Sequence, residues 1–234
     1  MISSAQNETI KRLRKLNMKK YRDESQSFLV EGEHLVEEAK ASGLACTTYG
    51  VGEGYDVQIS EMVAEKLSQT QSGSHCFAEV AKKHDALTKG HRFLLCDGIQ
   101  DPGNMGTMIR TAHSFGFDAV ILNVNCVDEY NDKVIRSTQG SIFYIPVIRM
   151  DLKEAIHQLQ NQGVVVYATA LSDDAVGLQS ISDPQCAVIM GSEGSGVSKD
   201  LMSISDQRMI IETSQFESLN VAVASAIICY TLRQ

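Results

Sequence analysis

The sequence has no tryptophan, only three prolines and few aromatic residues, which make up 6% of the chain. With a hydrophobic share of 43%, this composition is typical of an ordinary folded protein rather than a disordered one. No N-terminal segment combines a basic flank with a continuous apolar run, so we predict no signal peptide. The most apolar segment, residues 221–230, is about half as long as the roughly 20 residues that a membrane span requires. We therefore expect a soluble protein without a membrane partner.

Paired cysteines are also lacking. The six cysteines form no CxxC pair, and most lie in apolar runs such as residues 93–96 and 227–229. This pattern is typical of small buried side chains in a reducing compartment and argues against a disulfide or zinc framework. We expect a cytoplasmic protein, and no cluster of His and Cys residues predicts a metal site.

The chain has no overall excess of basic residues, since its formal net charge is −8. The charge is unevenly distributed, however: residues 1–22 carry +6 and the remaining residues carry −14. A polyanion responds to the local patch, so a basic arm on an acidic body can still bind phosphates, although a solvated helix face is the alternative. The candidate RNA-binding residues are Lys11, Arg12, Arg14, Lys15, Lys19, Lys20 and Arg22.

Two regions of the chain differ in pattern. The first is charged and only moderately apolar, and the polar stretch 82–90 is the expected linker, so we predict domains at residues 1–85 and 91–234. In the first domain we predict helices at 7–20, 33–42 and 60–68 and a strand at 27–31. The buried stripe of its first helix is predicted to comprise Ile10, Leu13, Leu16 and Asn17.

In the second region apolar strands alternate with helices. The predicted strands are 93–96, 119–123, 144–148, 164–168, 187–190 and 208–212, and the predicted helices are 104–115, 130–138, 151–161, 198–203 and 219–232. The strands are short continuous apolar runs, as expected when both faces of a sheet are covered. The sequence therefore predicts an α/β domain with a mostly parallel sheet.

Open α/β sheets bind ligands beyond the carboxyl ends of their strands, and the loop after residue 96 is the first candidate. Here a Pro102-Gly103 turn precedes Asn104, which is predicted to cap the next helix. Arg110 lies six residues later, about 240° around the helix. We expect it among apolar side chains, where a positive charge is unfavourable and therefore indicates a function. The alternative is that Asn104 is only a helix cap and that the Arg110 side chain reaches solvent, so that the loop has no function.

The second candidate loop is Gly191-Ser-Glu-Gly-Ser-Gly196. Its glycines would let the backbone approach a ligand, but the spacing matches neither a dinucleotide fingerprint nor a P-loop, and no lysine follows the last glycine. A nucleoside triphosphate is therefore not expected, and a tight turn without ligand is the alternative.

The third candidate loop leads into the apolar helix that begins near residue 219. Ser218 is predicted to cap this helix, and Asn220 would place a polar amide in its first turn. Capping explains Ser218 without a function but does not explain Asn220.

Together these loops resemble the SpoU class of SPOUT methyltransferases, the TrmH-like RNA ribose 2′-O-methyltransferases. The family motifs correspond to Asn104-Met-Gly-Thr-Met-Ile-Arg110, Gly191-Ser-Glu-Gly-Ser-Gly196 and Ser218-Leu-Asn220, in this order. The N-terminal region is similar to the family's substrate-binding domain, more loosely, in residues 3–7, 19–22 and 28–32. One departure is Ile210-Ile211-Glu212, where the family usually has Ile-Pro-Met.

This resemblance implies a C-terminal trefoil-knotted α/β domain, preceded by a small α+β substrate-binding domain, and a homodimer with the active site near the subunit interface. It also implies transfer of a methyl group from S-adenosylmethionine to a ribose 2′-hydroxyl of RNA. The implied catalytic residues are Asn104, Arg110, Glu193, Ser218 and Asn220. The implied cofactor contacts are Thr169, Ala170, Gly191, Gly194, Ile210 and Leu219.

Two interpretations of the role of Arg110 in methyl transfer stay open. The family comparison nominates it as the base for the 2′-hydroxyl, but a guanidinium stays protonated in proteins. We therefore favour a phosphate clamp or a stabiliser of the developing alkoxide, oriented by Asn104 and Glu193. Ribosomal RNA is the expected substrate, and the alternatives are a tRNA ribose methyltransferase, a base methyltransferase and an inactive RNA-binding protein with the same fold.

Overall fold

The structure is a computed structural model that describes residues 1–215 and 219–233. The chain forms two compact units: one comprises Met1–Lys83 and Tyr130–Phe143, and the other comprises His84–Glu129 and Tyr144–Gln234.

The regular elements of the described residues are as follows. The helices are α1 (Glu8–Lys15), α2 (Lys19–Ser25), α3 (Glu33–Ala41), α4 (Glu61–Leu67), α5 (Pro102–Ser114), α6 (Asp132–Thr138), α7 (Leu152–Asn161), α8 (Lys199–Ile204) and α9 (Val221–Thr231). The strands are β1 (Ser27–Glu31), β2 (Cys46–Gly50), β3 (Val57–Gln58), β4 (Cys76–Ala81), β5 (Arg92–Asp97), β6 (Ala119–Leu122), β7 (Val147–Arg149), β8 (Val165–Thr169), β9 (Val176–Gly177), β10 (Cys186–Gly191) and β11 (Gln207–Ile210).

The first unit is built on a four-stranded sheet in the order β1-β4-β2-β3. Strand β4 pairs antiparallel with β1 and β2, while β2 and β3 are parallel. Only β1 was predicted from the sequence. The central strand β4 was missed, although its side chains are mostly buried, because residues 76–81 form a short apolar run with no flanking proline.

The predicted helix at 7–20 is two helices, α1 and α2, separated by a turn at residues 16–18. Ile10, Leu13 and Leu16 are buried as expected, whereas Asn17 is exposed and does not belong to the buried stripe. The turn leaves the Leu16 carbonyl without a helical partner, and the Arg22 side chain donates a hydrogen bond of 2.7 Å to it.

A segment from the middle of the chain completes the core of the first unit. Tyr130, Ile135 and Phe143 are buried together with Phe28 of β1 and Val36 of α3. The sequence pattern did not indicate this, because residues 130–143 lie between the strands β6 and β7 of the second unit and their apolar spacing does not specify which core they join.

The second unit contains a seven-stranded sheet in the order β7-β6-β5-β10-β8-β11-β9. Every pair of neighbouring strands in it is parallel, which confirms the predicted α/β class. The strands bury both faces, and a core of aliphatic side chains from α7 and α8 packs on one of them.

Strand boundaries differ from the sequence prediction at one edge of this sheet. Strand β7 begins at Val147 rather than at residue 144, because Pro146 has no N–H to donate and residues 141–143 form a 3-10 turn. The two-residue strand β9 at the other edge was not predicted.

Both predicted helix caps are corrected by the structure. Asp101, not Asn104, caps α5: its carboxylate accepts the Asn104 N–H at 2.8 Å, and Pro102 occupies the first turn. Helix α9 is capped by Asn220, whose side-chain oxygen accepts the N–H groups of Ala222 and Val223. Ser218, the expected cap, lies outside the described residues.

Arg149, at the end of β7, holds the loop that follows β6. Its guanidinium donates to the carbonyls of residues 123, 124, 126 and 127 at 2.6–3.4 Å. It also donates to the mostly buried carboxylate of Glu129, with Nε 3.0 Å from Oε2. One planar cation thereby satisfies an entire turn of backbone acceptors, which a lysine could not do.

We predict that Arg149→Ala lowers the free energy of unfolding by about 2–3 kcal/mol, because it leaves the buried Glu129 without its cation. Urea denaturation followed by circular dichroism measures the change. The matched control is Lys153→Ala, whose ammonium lies 2.7 Å from Asp200 in an exposed ion pair. That control should cost less than about 1 kcal/mol, and equal losses in the two variants would contradict the assignment.

Candidate functional site

Gly191 ends β10 at the carboxyl edge of the large sheet, directly opposite Asp97 of β5. A Cβ atom at Gly191 would lie 2.0 Å from the backbone carbon of Gly196 and 2.1 Å from the nitrogen of Val197. The loop folds back on itself through a hydrogen bond of 2.9 Å from the Gly196 N–H to the Ser192 carbonyl. Only glycine fits at position 191 while the loop keeps this conformation.

A cavity of about 470 Å³ opens beside this loop within the second unit. Its walls come from the ends of β8, β10 and β11 and from the start of α9, and they are mostly apolar. They include Thr169, Ala170, Met190, Gly191, Gly196, Val197, Met209, Ile210, Leu219 and Val221. A cavity of this size with few polar groups suits a small organic ligand.

Five of the six predicted cofactor contacts line this cavity: Thr169, Ala170, Gly191, Ile210 and Leu219. The sixth, Gly194, is not among the lining residues, and a Cβ at that position would meet open space.

The unusual Glu212 does not line the cavity either, whereas the neighbouring Ile211 and Thr213 do. Its carboxylate is directed to Gly177 of β9, where a Cβ would lie 2.5 Å from Oε1. The carboxylate of Glu212, the residue that departs from the family pattern, therefore does not face the cavity.

Three of the predicted catalytic side chains form one hydrogen-bonded chain. The Asn220 amide donates to Asn104 Oδ1 at 3.1 Å, and the Asn104 amide donates to the Glu193 carboxylate. Asn104 lies on α5, Glu193 on the glycine loop and Asn220 at the start of α9, so this chain connects all three candidate loops. Asn220 therefore has two roles: it caps α9 and it binds Asn104.

Arg110 does not join this chain. The buried face of α5 is formed by Met105, Met108, Ile109 and Ala112, and Arg110 is exposed on the other side. Among the described residues its side chain has no hydrogen-bond or ion-pair partner, so Asn104 and Glu193 bond to each other and not to Arg110. The expected apolar surroundings were wrong, because Arg110 is about 200° from Met108 and from Ala112 around the helix.

Asp97 is a site residue that the sequence interpretation missed. It is 5% exposed, and its two oxygens accept the Ser198 N–H and the Asn123 amide, each at 2.9 Å. The sequence did contain a signal for Asp97, namely a carboxylate at the end of a continuous apolar strand. A charge that is buried there requires hydrogen-bond partners.

Two of the candidate RNA-binding residues of the first unit have structural roles. Arg22 is 4% exposed and is not available to a polyanion. Arg12 forms a bidentate ion pair with Glu79. Burial raises the pKa of the Glu79 carboxyl, but hydrogen bonds from Arg12 and Ser27 outweigh burial and leave that pKa lowered.

The other candidates lie on exposed helix surface. Lys11, Lys19 and Lys20 have carboxylate neighbours on their own helices, namely Glu8, Asp23 and Glu24. Lys15 lies 5.3 Å from the centroid of the Tyr21 ring. Within the described ranges, neither Arg14 nor Lys15 has a carboxylate partner.

The residues that the structure describes contain no group of three or more His, Cys, Asp or Glu side chains that could hold a metal ion. None of their helices is both long enough and apolar enough to cross a membrane.

Comparison with known proteins gives a consistent result over nearly the whole chain. Residues 91–230 match the SpoU rRNA Methylase family, and residues 7–86 match the MRM3-like substrate binding domain. The 23S rRNA (guanosine(2553)-2'-O)-methyltransferase RlmP of Bacillus subtilis is 39% identical, over 99% of this chain and 98% of that protein.

Solved structures agree with this result. The AdoMet-bound rRNA methyltransferase from Sinorhizobium meliloti superposes with a TM-score of 0.89 at 27% identity, over 98% of this chain and 95% of that one. The SpoU methyltransferase AviRb from Streptomyces viridochromogenes, at 21% identity and a TM-score of 0.83 over 97% of each chain, shares the fold. The resemblance carried by the three loops is confirmed: the chain belongs to the SpoU rRNA methylase family.

Proposed function

We propose that this chain transfers a methyl group from S-adenosylmethionine to a ribose 2′-hydroxyl of ribosomal RNA. The observation that carries the proposal is the cavity beside Gly191, with Asn104, Glu193 and Asn220 joined in one hydrogen-bonded chain. The name of the Bacillus subtilis relative specifies 2′-O-methylation of a guanosine in 23S rRNA, which supports ribose and ribosomal RNA over the alternatives. The Sinorhizobium meliloti structure contains AdoMet, which supports the methyl donor.

The cavity fits this cofactor. Its volume of about 470 Å³ lies in the range that suits small-molecule ligands, and its apolar walls suit an adenine ring. At Gly191 the absent side chain lets the backbone of Gly196 and Val197 pack directly against the end of β10, which keeps the loop in place beside the cavity. Thr169, Ala170, Gly191, Ile210 and Leu219 would hold the cofactor, which supplies an activated methyl group when bound.

The residues of the chain then have to align the 2′-hydroxyl and stabilise its loss of a proton. Asn104, Glu193 and Asn220 fix the relative positions of the three loops through their hydrogen bonds. Ser218, the other residue that the family resemblance nominates here, lies outside the described residues. Arg110 is a cation without a protein partner among the described residues, so it is free to pair with a substrate phosphate or a developing alkoxide. We assign it that electrostatic role.

The substrate and partners follow from the same assignment. We assign RNA binding to residues 1–85 and methyl transfer, on a trefoil-knotted domain, to residues 91–234. We also infer a homodimer, supported by Val223, Ile227 and Tyr230, which form an exposed apolar stripe along α9. The six cysteines are free thiols and five are buried, which supports action in the reducing cytoplasm.

The cofactor assignment predicts opposite results for two glycines of one loop. Gly191→Ala places a Cβ 2.0 Å from backbone, so the loop must shift, and we expect at least about a tenfold loss of S-adenosylmethionine affinity. Gly194→Ala is the matched control, because its Cβ meets open space and its affinity should stay within about twofold. Isothermal titration calorimetry measures both, and circular dichroism checks that each variant is folded. Wild-type affinity in Gly191→Ala would refute the assignment.

The electrostatic role of Arg110 predicts a graded loss of rate. Arg110→Ala should lower the single-turnover rate by about 10²–10³, as when one oxyanion donor is removed. Arg110→Lys keeps the charge and should retain a measurable fraction of the rate, and this fraction should not rise between pH 6 and 10. If Arg110 is instead the base, the Lys variant should be inactive at neutral pH and rise steeply toward the lysine reference pKa of about 10.4.

If the helices α1 and α2 bind RNA, two pairs of their cations should contribute differently to the salt dependence of RNA affinity. Replacing Arg14 and Lys15 with alanine removes the two candidate RNA-binding cations that lack a carboxylate partner in the described residues. We expect the slope of log affinity against log salt to fall by about 1.4–1.8 for two lost phosphate contacts. The charge-matched control replaces Lys19 and Lys20, which already pair with Asp23 and Glu24, and should change the slope less. Equal slopes in wild type and the Arg14/Lys15 variant would exclude these two residues from the interface.

A further inference from the structure

Asp97 does not line the cavity, yet it contacts both ends of the loop that does, through strand pairing of its backbone at one end and through its carboxylate at the other. Gly191, where the loop begins, is paired with Asp97 across the strands β10 and β5. Ser198, where the loop ends, donates its backbone N–H to Asp97 Oδ2 at 2.9 Å. The span between them supplies several lining residues, including Glu193 and Val197.

The second oxygen of Asp97 holds a neighbouring loop. Oδ1 accepts the Asn123 side-chain amide at 2.9 Å, while the Asn123 side-chain oxygen accepts the Val124 N–H at 2.9 Å. The Asn123 carbonyl is one of the groups bound by Arg149. Asp97 therefore connects the cavity loop to a loop that is itself rigidly held.

This arrangement requires a group that only accepts hydrogen bonds. Both partners of Asp97 are donors, and a carboxylate accepts from both at once. An asparagine at position 97 would accept from one partner and present its own N–H₂ to the other. Rotation of Asn123 would repair that contact but would turn its amide toward the Val124 N–H, so one hydrogen bond is lost in either case.

We infer that Asp97 is a positioning residue for S-adenosylmethionine: its carboxylate sets where the loop from Gly191 to Ser198 lies and thereby the shape of the cofactor cavity. This inference rests on the proposed function and adds to it a residue that does not line the cavity.

Exchanging the two side chains tests the inference. In the double variant Asp97→Asn/Asn123→Asp, the amide introduced at position 97 accepts from the Ser198 N–H and donates to the carboxylate introduced at position 123, whose other oxygen still accepts from Val124. All three hydrogen bonds are restored with an unchanged net charge. We expect Asp97→Asn alone to weaken S-adenosylmethionine binding about tenfold, Asn123→Asp to weaken it further through two facing carboxylates, and the double variant to return within about twofold of wild type.

The control for a general loss of stability is Asp118→Ala, because both N–H partners of Asp118 bind one oxygen, which an asparagine would retain. Asp118 is also a carboxylate that binds backbone, since it accepts the N–H groups of His91 and Arg92 at 2.7 and 2.8 Å, but it lies at the opposite end of β5. This variant should lower the melting temperature without changing the dissociation constant of the cofactor.

Two measurements on each variant decide the outcome. Calorimetry gives the S-adenosylmethionine affinity, and hydrogen exchange of the cofactor-free protein reports the Ser198 amide, which should exchange faster in Asp97→Asn and recover in the double variant. Unchanged affinity in Asp97→Asn, or no recovery in the double variant, would overturn the inference. If wild type itself binds no S-adenosylmethionine, the proposed function fails, and the hydrogen-exchange result still decides whether Asp97 positions the loop.

Discussion

The parallel pairing of β10 with β5 is the interaction on which the site depends. It places Gly191 beside Asp97 at the carboxyl edge of the sheet, where the backbones of the following loops leave the hydrogen-bonded ladder. The close approach at Gly191 and the buried carboxylate at Asp97 then determine the course of the cavity loop. Because parallel strands all end at this edge, the loops after β8, β10 and β11 meet around one cavity although they are far apart in the chain.

The loops are connected by side chains that also serve the local structure. Asn220 caps α9 and holds Asn104, and Asn104 in turn holds Glu193 on the glycine loop. Arg110, by contrast, is exposed, as its proposed pairing with a phosphate or an alkoxide requires.

Much of the fold could be predicted from local pattern. Short continuous apolar runs alternating with helical periodicity suit only a parallel sheet that is covered on both faces, and the sheet has that form. Strand β4 and the split between α1 and α2 could not be predicted, because they depend on partners elsewhere in the chain. The buried Arg22, for example, satisfies a carbonyl at the end of α1, a contact that its position in a basic run does not indicate.

For the site, the sequence by itself determined the family, the three loops and the side chains they carry, because those residue types at those spacings are specific. Only the tertiary structure decided what each side chain does. Asp101 rather than Asn104 caps α5, Arg110 faces solvent, and Gly194 stands apart from the cavity that Gly191 shapes. The contact between Asp97 and Ser198 spans 101 residues. The physical reason is that a hydrogen bond depends on distance in space, and sequence spacing constrains that distance only within a turn or a single element.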